Sequence, residues 1–181
     1  MLILASGSPR RHELLHAAGI AHVVAPVHID ESRKPCESPV SLVQRLATEK
    51  ARAAVAQSGD IVLGADTEVC MEEHVFGKPV DEDDARRMLR MLSGRHHWVH
   101  TGICILTGSA EIVDVASTNV SFIDLTEEEI AEYTRSGEPF GKAGGYAIQG
   151  LASKFVKSIR GCYHNVVGLP VSLVYQHLKS V

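Results

Sequence analysis

The 181-residue chain is 45% hydrophobic and carries 18 Lys and Arg against 22 Asp and Glu, a formal charge of −4. This composition excludes a disordered chain and fits one domain spanning 1–181. The mild acidity argues against a nucleic-acid polymer as partner, so any polyanion site has to be built locally.

Leu2-Ile3-Leu4-Ala5 reads as a short buried strand, and Ser6-Gly7 turns it into a helix with Ser8 as N-cap and Pro9 in its first turn. Ser38-Pro39 starts a second helix, whose apolar positions Val40, Val43, Leu46, Ala47, Ala51 and Ala54 recur at helical spacing before Gly59 stops it. Ile61 to Ala65 is expected to be a central strand that delivers Asp66 at its C-terminal end, where α/β proteins commonly place ligands. Asp81 caps a third helix that Gly94 closes. Trp98 to Leu106 and Ile112 to Ile123 alternate like antiparallel strands around a hairpin at Thr107-Gly108-Ser109. Thr126 and Glu129 form a capping box for a helix through Ser136, residues 138–150 form a glycine-rich loop, and Leu169-Pro170 opens the last helix to Leu178.

Two chemical patterns overlap near the N-terminus. Ser8-Pro9-Arg10-Arg11 puts two cations at a helix start, where free N–H groups already favour an anion, so it describes a phosphate cradle. His12, Glu13, His16, Gly19 and His22 match the H-E-x-x-H-x-x-G-x-x-H pattern of zinc proteases. Ten histidines in the chain make a chance match to that pattern easier than usual. Lys50, Lys78 and Lys142 add isolated cations in or beside small polar loops. The segment Gly137 to Ala143 is no Walker loop, being one residue short between its glycines and carrying Ala143 where Ser or Thr would meet magnesium. Phosphoanhydride hydrolysis needs neutralised phosphates, a hard cation held by carboxylates and an oriented water; Asp66 and Glu31 are the candidate oxygen ligands.

Seven segments in order resemble the Maf family of nucleoside triphosphate pyrophosphatases: LASGSPRRHELL from Leu4, RLATEKA from Arg45, GADTEV from Gly64, GKPVDEDDARRMLRMLSG from Gly77, HTGICI from His100, EPFGKAGGYAIQG from Glu138 and NVVGLP from Asn165. The resemblance implies an α/β fold with a mixed central sheet, flanking helices and two lobes around a deep cleft, of the Maf and ITPase kind. It implies hydrolysis of a nucleoside triphosphate to monophosphate and pyrophosphate with a divalent metal, Mg or Mn. By resemblance Asp66 is the proton acceptor, while Ser8, Arg10, Arg11, Glu31, Lys50 and Lys78 fall at phosphate- or metal-handling positions. GKAGGYAIQG is similar to the branch acting on dTTP and UTP, in which Arg10, Thr67 and Gln149 bear on specificity. A glutamine amide donates and accepts at once, as the imide edge of thymine or uracil requires. The resemblance also implies a homodimer.

A nucleotide-binding regulator of cell division with little turnover is the second reading, and zinc proteolysis through His12, His16 and His22 a remote third. Cys36, Cys70, Cys104 and Cys162 form no C-x-x-C pair, which fits reduced thiols. The chain meets arginines by position 10 and has no apolar run near ~18 residues, so a cytoplasmic protein without a membrane partner is expected.

Overall fold

The computed structural model describes residues 1–72 and 74–181. In chain order its elements are β1 (Leu2–Ala5), α1 (Pro9–Ala17), β2 (Val23–Val24), α2 (Pro39–Ala53), β3 (Ile61–Met71), β4 (His74–Phe76), α3 (Glu82–Leu92), β5 (His96–Leu106), β6 (Glu111–Phe122), α4 (Glu127–Arg135), β7 (Val156–Arg160), α5 (Tyr163–Val167) and α6 (Val171–Leu178). Short 3-10 turns occupy Ala143–Gly145 and Leu151–Phe155. Helix starts follow the local chemistry: Ser38 accepts from Ser41 N–H, Asp81 from Asp84 N–H, and Thr126 with Glu129 completes a reciprocal capping box.

The strands form one mixed sheet in the order β2-β1-β3-β5-β6-β7, with β4 folded back on β3. β1 runs parallel to β2 and β3, whereas β3, β5, β6 and β7 are antiparallel neighbours. The mixed sheet with flanking helices agrees with the expected fold class. Leu14, Leu15, Leu89, Ile130, Val167 and Val174 from the other helices pack with Leu63, Ile103 and Val120 in the larger core. α2 covers the opposite face, where Ala47 and Ala51 meet Val62 and Cys104.

Two glycines decide how closely α2 approaches. A Cβ at Gly64 would stand 2.0 Å from the Ala47 carbonyl oxygen, and one at Gly102 would stand 2.3 Å from that of Val43. Both contacts are with helix backbone, which cannot swing aside. The absent side chains therefore seat α2 directly on β3 and β5, and this distance sets where its last turn lies.

β3 corrects the expectation for Asp66. The strand does not end at Ala65; it runs to Met71, because β5 pairs with it from Val62 to Cys70. Asp66 is thus a mid-strand residue. On the other edge of β3, β1 pairs only as far as Gly64 and β4 only from Val69, so residues 65–68 border a gap between two partner strands. The expected second helix is also shorter, ending at Ala53 rather than near Gly59, since Ala54 turns to an extended conformation.

Candidate active site

A cleft of about 380 Å³ opens at this gap. Its lining includes Ser8, Arg10, Arg11, Glu31, Lys50, Asp66, Thr67, Lys78 and Gln149, so every site residue expected from the sequence meets in one place. Lys142, one of the isolated cations picked out in the sequence, lines it too, as do Glu68 and Tyr146, which were not expected there.

Lys50 stands in the last turn of α2, on the stripe that carries Val43 and Ala47 toward the sheet. Its ammonium lies 2.6 Å from Asp66 Oδ1 and 2.6 Å from Glu31 Oε1. Lys78 Nζ, on the turn before α3, is 3.6 Å from Glu31 Oε2. Burial alone would push the Glu31 carboxyl up, but the hydrogen bond and charge of Lys50, helped by Lys78, outweigh it and hold the group below its ordinary range. Asp66 and Lys50 are both buried, while Glu31 is half-exposed at the cleft edge.

Arg11 behaves otherwise than a phosphate-binding arginine. Nε donates to Gly168 O at 2.9 Å, Nη1 to Ser6 Oγ at 3.0 Å and Ala65 O at 2.9 Å, and Nη2 to Thr67 Oγ1 at 3.0 Å. The guanidinium fills the gap left on the edge of β3 and ties α1, β3 and the turn after α5 together. Burial lowers its pKa, against the pull of the Asp66 charge. Thr67 is committed in the same net, its hydroxyl also meeting Thr101 Oγ1 at 2.9 Å and Gly168 O at 3.2 Å. Arg10, by contrast, lines the cleft with no hydrogen bond or ion pair to any described residue. Ser8 sits at the N-cap of α1 without using its side chain as a cap, which leaves the hydroxyl and the first N–H groups of the helix beside the cleft.

The far wall is the loop of residues 138–150. Tyr146 OH and His97 Nε2 share a 2.8 Å hydrogen bond, and Tyr133 OH receives Ala147 N–H while donating to Glu138 Oε1. Lys142 Nζ bonds Glu138 O; burial, then the nearby Arg10 charge, lowers its pKa. Gln149 is exposed at the mouth. His97, fully buried, is held neutral with its pKa pushed down to about 3, chiefly by burial.

Glu68 is the main residue the sequence reading missed. It follows Asp66 by one strand repeat, and burial, then the Asp66 charge, raises its pKa to about 8. The buried oxygens Asp66 Oδ2 and Glu68 Oε2 have no hydrogen-bond partner among the described residues. A hard divalent cation takes oxygens of this kind, so the donor set fits the expected metal.

The zinc-protease pattern has a different fate. His12 Nδ1 and His22 Nε2 lie 2.9 Å apart and share a hydrogen bond, and His22 Nδ1 meets Ile20 O at 2.8 Å. His12 and His16 are exposed. Among the described residues His12, His16 and His22 belong to no group of three or more such side chains placed to hold a metal ion.

The α/β fold is shared with the structure of the Staphylococcus aureus Ham1 protein. That chain aligns over 99% of this one and 98% of itself with a TM-score of 0.51 at 11% identity. The profile of Maf-like proteins matches residues 1–181, and the chain belongs to the Maf family. It is 50% identical over 180 residues to a dTTP/UTP pyrophosphatase of Symbiobacterium thermophilum, covering 99% of this chain and 93% of that protein. It is 49% identical over 179 residues to one of Koribacter versatilis (98% and 93%) and 46% identical over 180 residues to one of Bacillus cereus (99% and 94%).

Proposed function

We propose that the whole 1–181 unit hydrolyses pyrimidine nucleoside triphosphates, dTTP and UTP and their base-modified forms among them, to the monophosphate and pyrophosphate. The names of the full-length relatives support the substrate class. The observation that carries the chemistry is the Lys50 ammonium held 2.6 Å from both Asp66 and Glu31 inside a cleft that also receives Arg10, Lys78 and Lys142.

The triphosphate lies along these cations, with the α-phosphorus next to Asp66. Water attacks that phosphorus, the bond to the bridging oxygen of the β-phosphate breaks, and pyrophosphate leaves. Asp66 accepts the proton of the attacking water, oriented by Lys50. Arg10, Lys78 and the free N–H groups behind Ser8 offset the charge that gathers on the leaving pyrophosphate. Asp66 and Glu31 would hold a Mg or Mn ion, which would supply Lewis-acid polarisation of the phosphate oxygens. Arg11 and Thr67 act from behind, fixing Asp66 and the Gly168 turn, and Gln149 reads the base edge. A reduced, cytoplasmic setting belongs to the same proposal and is supported by the four free cysteines; among the described residues no helix is long and apolar enough to cross a membrane.

Product analysis tests the reading. With dTTP and Mg, the expected products are dTMP and pyrophosphate in equal amounts, and Asp66→Asn is expected to slow release ~100-fold or more. Diphosphate plus phosphate would mean attack at the terminal phosphorus. Tight dTTP binding without turnover would favour the regulator.

A further inference from the structure

Four buried side-chain atoms lack a hydrogen-bond partner among the described residues: Asp66 Oδ2, Glu68 Oε2, His97 Nδ1 and Asn165 Oδ1. The last two belong to a histidine and an amide that are not among the residues lining the cleft. The first two are carboxylate oxygens on one strand, two residues apart, where alternation puts both side chains on the same face with Cα atoms about 7 Å apart. Both residues line the cleft. Asp66 is 94% buried, so its free oxygen has no recourse to bulk water.

Three of the site's cations make their contacts away from these two oxygens, and Arg10 bonds to neither of them. Lys50 lies between Asp66 Oδ1 and Glu31, Lys78 leans on Glu31, and every nitrogen of Arg11 donates to an oxygen outside this carboxylate pair. Lys50 pairs with Asp66 through Oδ1 alone, so Asp66 Oδ2 and Glu68 Oε2 are left without a hydrogen-bonded cation among the described residues. A small hard cation answers both at once, since Mg²⁺ and Mn²⁺ commonly take one or two protein carboxylates and complete their shells with phosphate oxygens and water.

We infer that Glu68 is a metal-ligating residue: Glu68 Oε2 and Asp66 Oδ2 together take one divalent cation of the Mg²⁺ or Mn²⁺ class. The pair prepares the metal position on the strand itself, before Glu31 is released from its lysines. This assignment rests on the nucleotide-hydrolysis reading for its purpose, but not for its test.

The test measures Mn²⁺ binding by electron paramagnetic resonance and by calorimetry. It uses the parent and Glu68→Gln, with and without a dUTP analogue whose α,β-bridge is an imido group that resists cleavage. Glu68→Gln is nearly isosteric, and its thermal midpoint in chelator is expected to equal or exceed the parent's, because a buried acid has been removed. Mn²⁺ affinity is expected to fall at least tenfold in Glu68→Gln in one or both states. The Mg²⁺ concentration for half-maximal dTTP turnover should rise in parallel, and KM for dTTP at saturating metal should change less than about threefold. Glu68→Asp should recover part of the affinity.

Equal Mn²⁺ affinity of parent and Glu68→Gln in both states, or no Mn²⁺ binding by the parent in either, overturns the assignment. A raised KM with unchanged metal affinity also overturns it and makes Glu68 a nucleotide contact. If instead Mn²⁺ binding depends on Glu68 while the parent releases no pyrophosphate, the ligand assignment stands and the hydrolysis reading fails.

Discussion

Arg11 and Lys50 are buried to the same depth, each with 8% of its surface exposed, and lie on opposite sides of Asp66's strand edge. Arg11 is surrounded by neutral oxygens of Ser6, Ala65, Thr67 and Gly168, so its planar fork is spent on holding backbone segments together. Lys50 is a point charge between two carboxylates, one of them half-exposed. Carboxylates can exchange an ammonium for a metal or follow it toward a phosphate; backbone carbonyls cannot follow Arg11 without opening the sheet edge. Equal burial thus conceals one fixed cation and one that can change partners during a reaction.

The sharpest way to break this contrast is to neutralise Lys50. Lys50→Gln is expected to lower kcat for dTTP about 100- to 1000-fold, the cost of losing a preorganised charge, with a smaller loss in urea stability because the glutamine amide can still donate to Asp66. Arg11→Lys should do the reverse. A lysine offers three donors without the fork and leaves at least one of the four buried acceptors unmet, so unfolding free energy is expected to fall by about 1–3 kcal/mol. If Arg11→Lys unfolds at the parent's urea midpoint, Arg11 is no structural tie.

His97 extends the comparison to a buried group that stays neutral. Its pKa is near 3 in the fold against an ordinary 6.5, so between those values the unfolded chain binds more protons and stability falls as the pH is lowered. At pH 5 about 1.5 pH units of that shift are expressed, or about 2 kcal/mol. The drop in urea stability from pH 7 to pH 5 is therefore expected to be about 2 kcal/mol smaller in His97→Gln than in the parent. The smallest effect belongs to Gln149, which is exposed and free of the core. Gln149→Ala should reduce the preference in kcat/KM for dTTP over dATP about tenfold, near 1.4 kcal/mol, and leave stability unchanged. An unchanged preference would remove Gln149 from base recognition.

Much of the fold was legible because its signals are local. The Asp81 cap, the Thr126–Glu129 box and the hairpin at residues 107–109 each need only a few neighbouring residues, and the structure has all of them. β3 was read too short because GADTEV mixes polar with apolar residues, and only pairing with β5 carries the strand through them. The same error hid Glu68: once Asp66 is mid-strand, period-two alternation puts Glu68 on its face. β2, β7 and α5 are short and owe their form to what they pack against. The partnership of His97 with Tyr146, 49 residues away, has no sequence signal at all.

By itself the sequence determined the family, the α/β class and the set of polar residues able to meet a triphosphate, because motif order and local capping survive without knowledge of neighbours. Only the tertiary structure decided which cation is fixed and which is exchangeable, and which carboxylate oxygens are left without a partner. Those properties depend on what surrounds each group, and here that is set by the close seat of α2 on Gly64 and Gly102 and by the gap between β1 and β4.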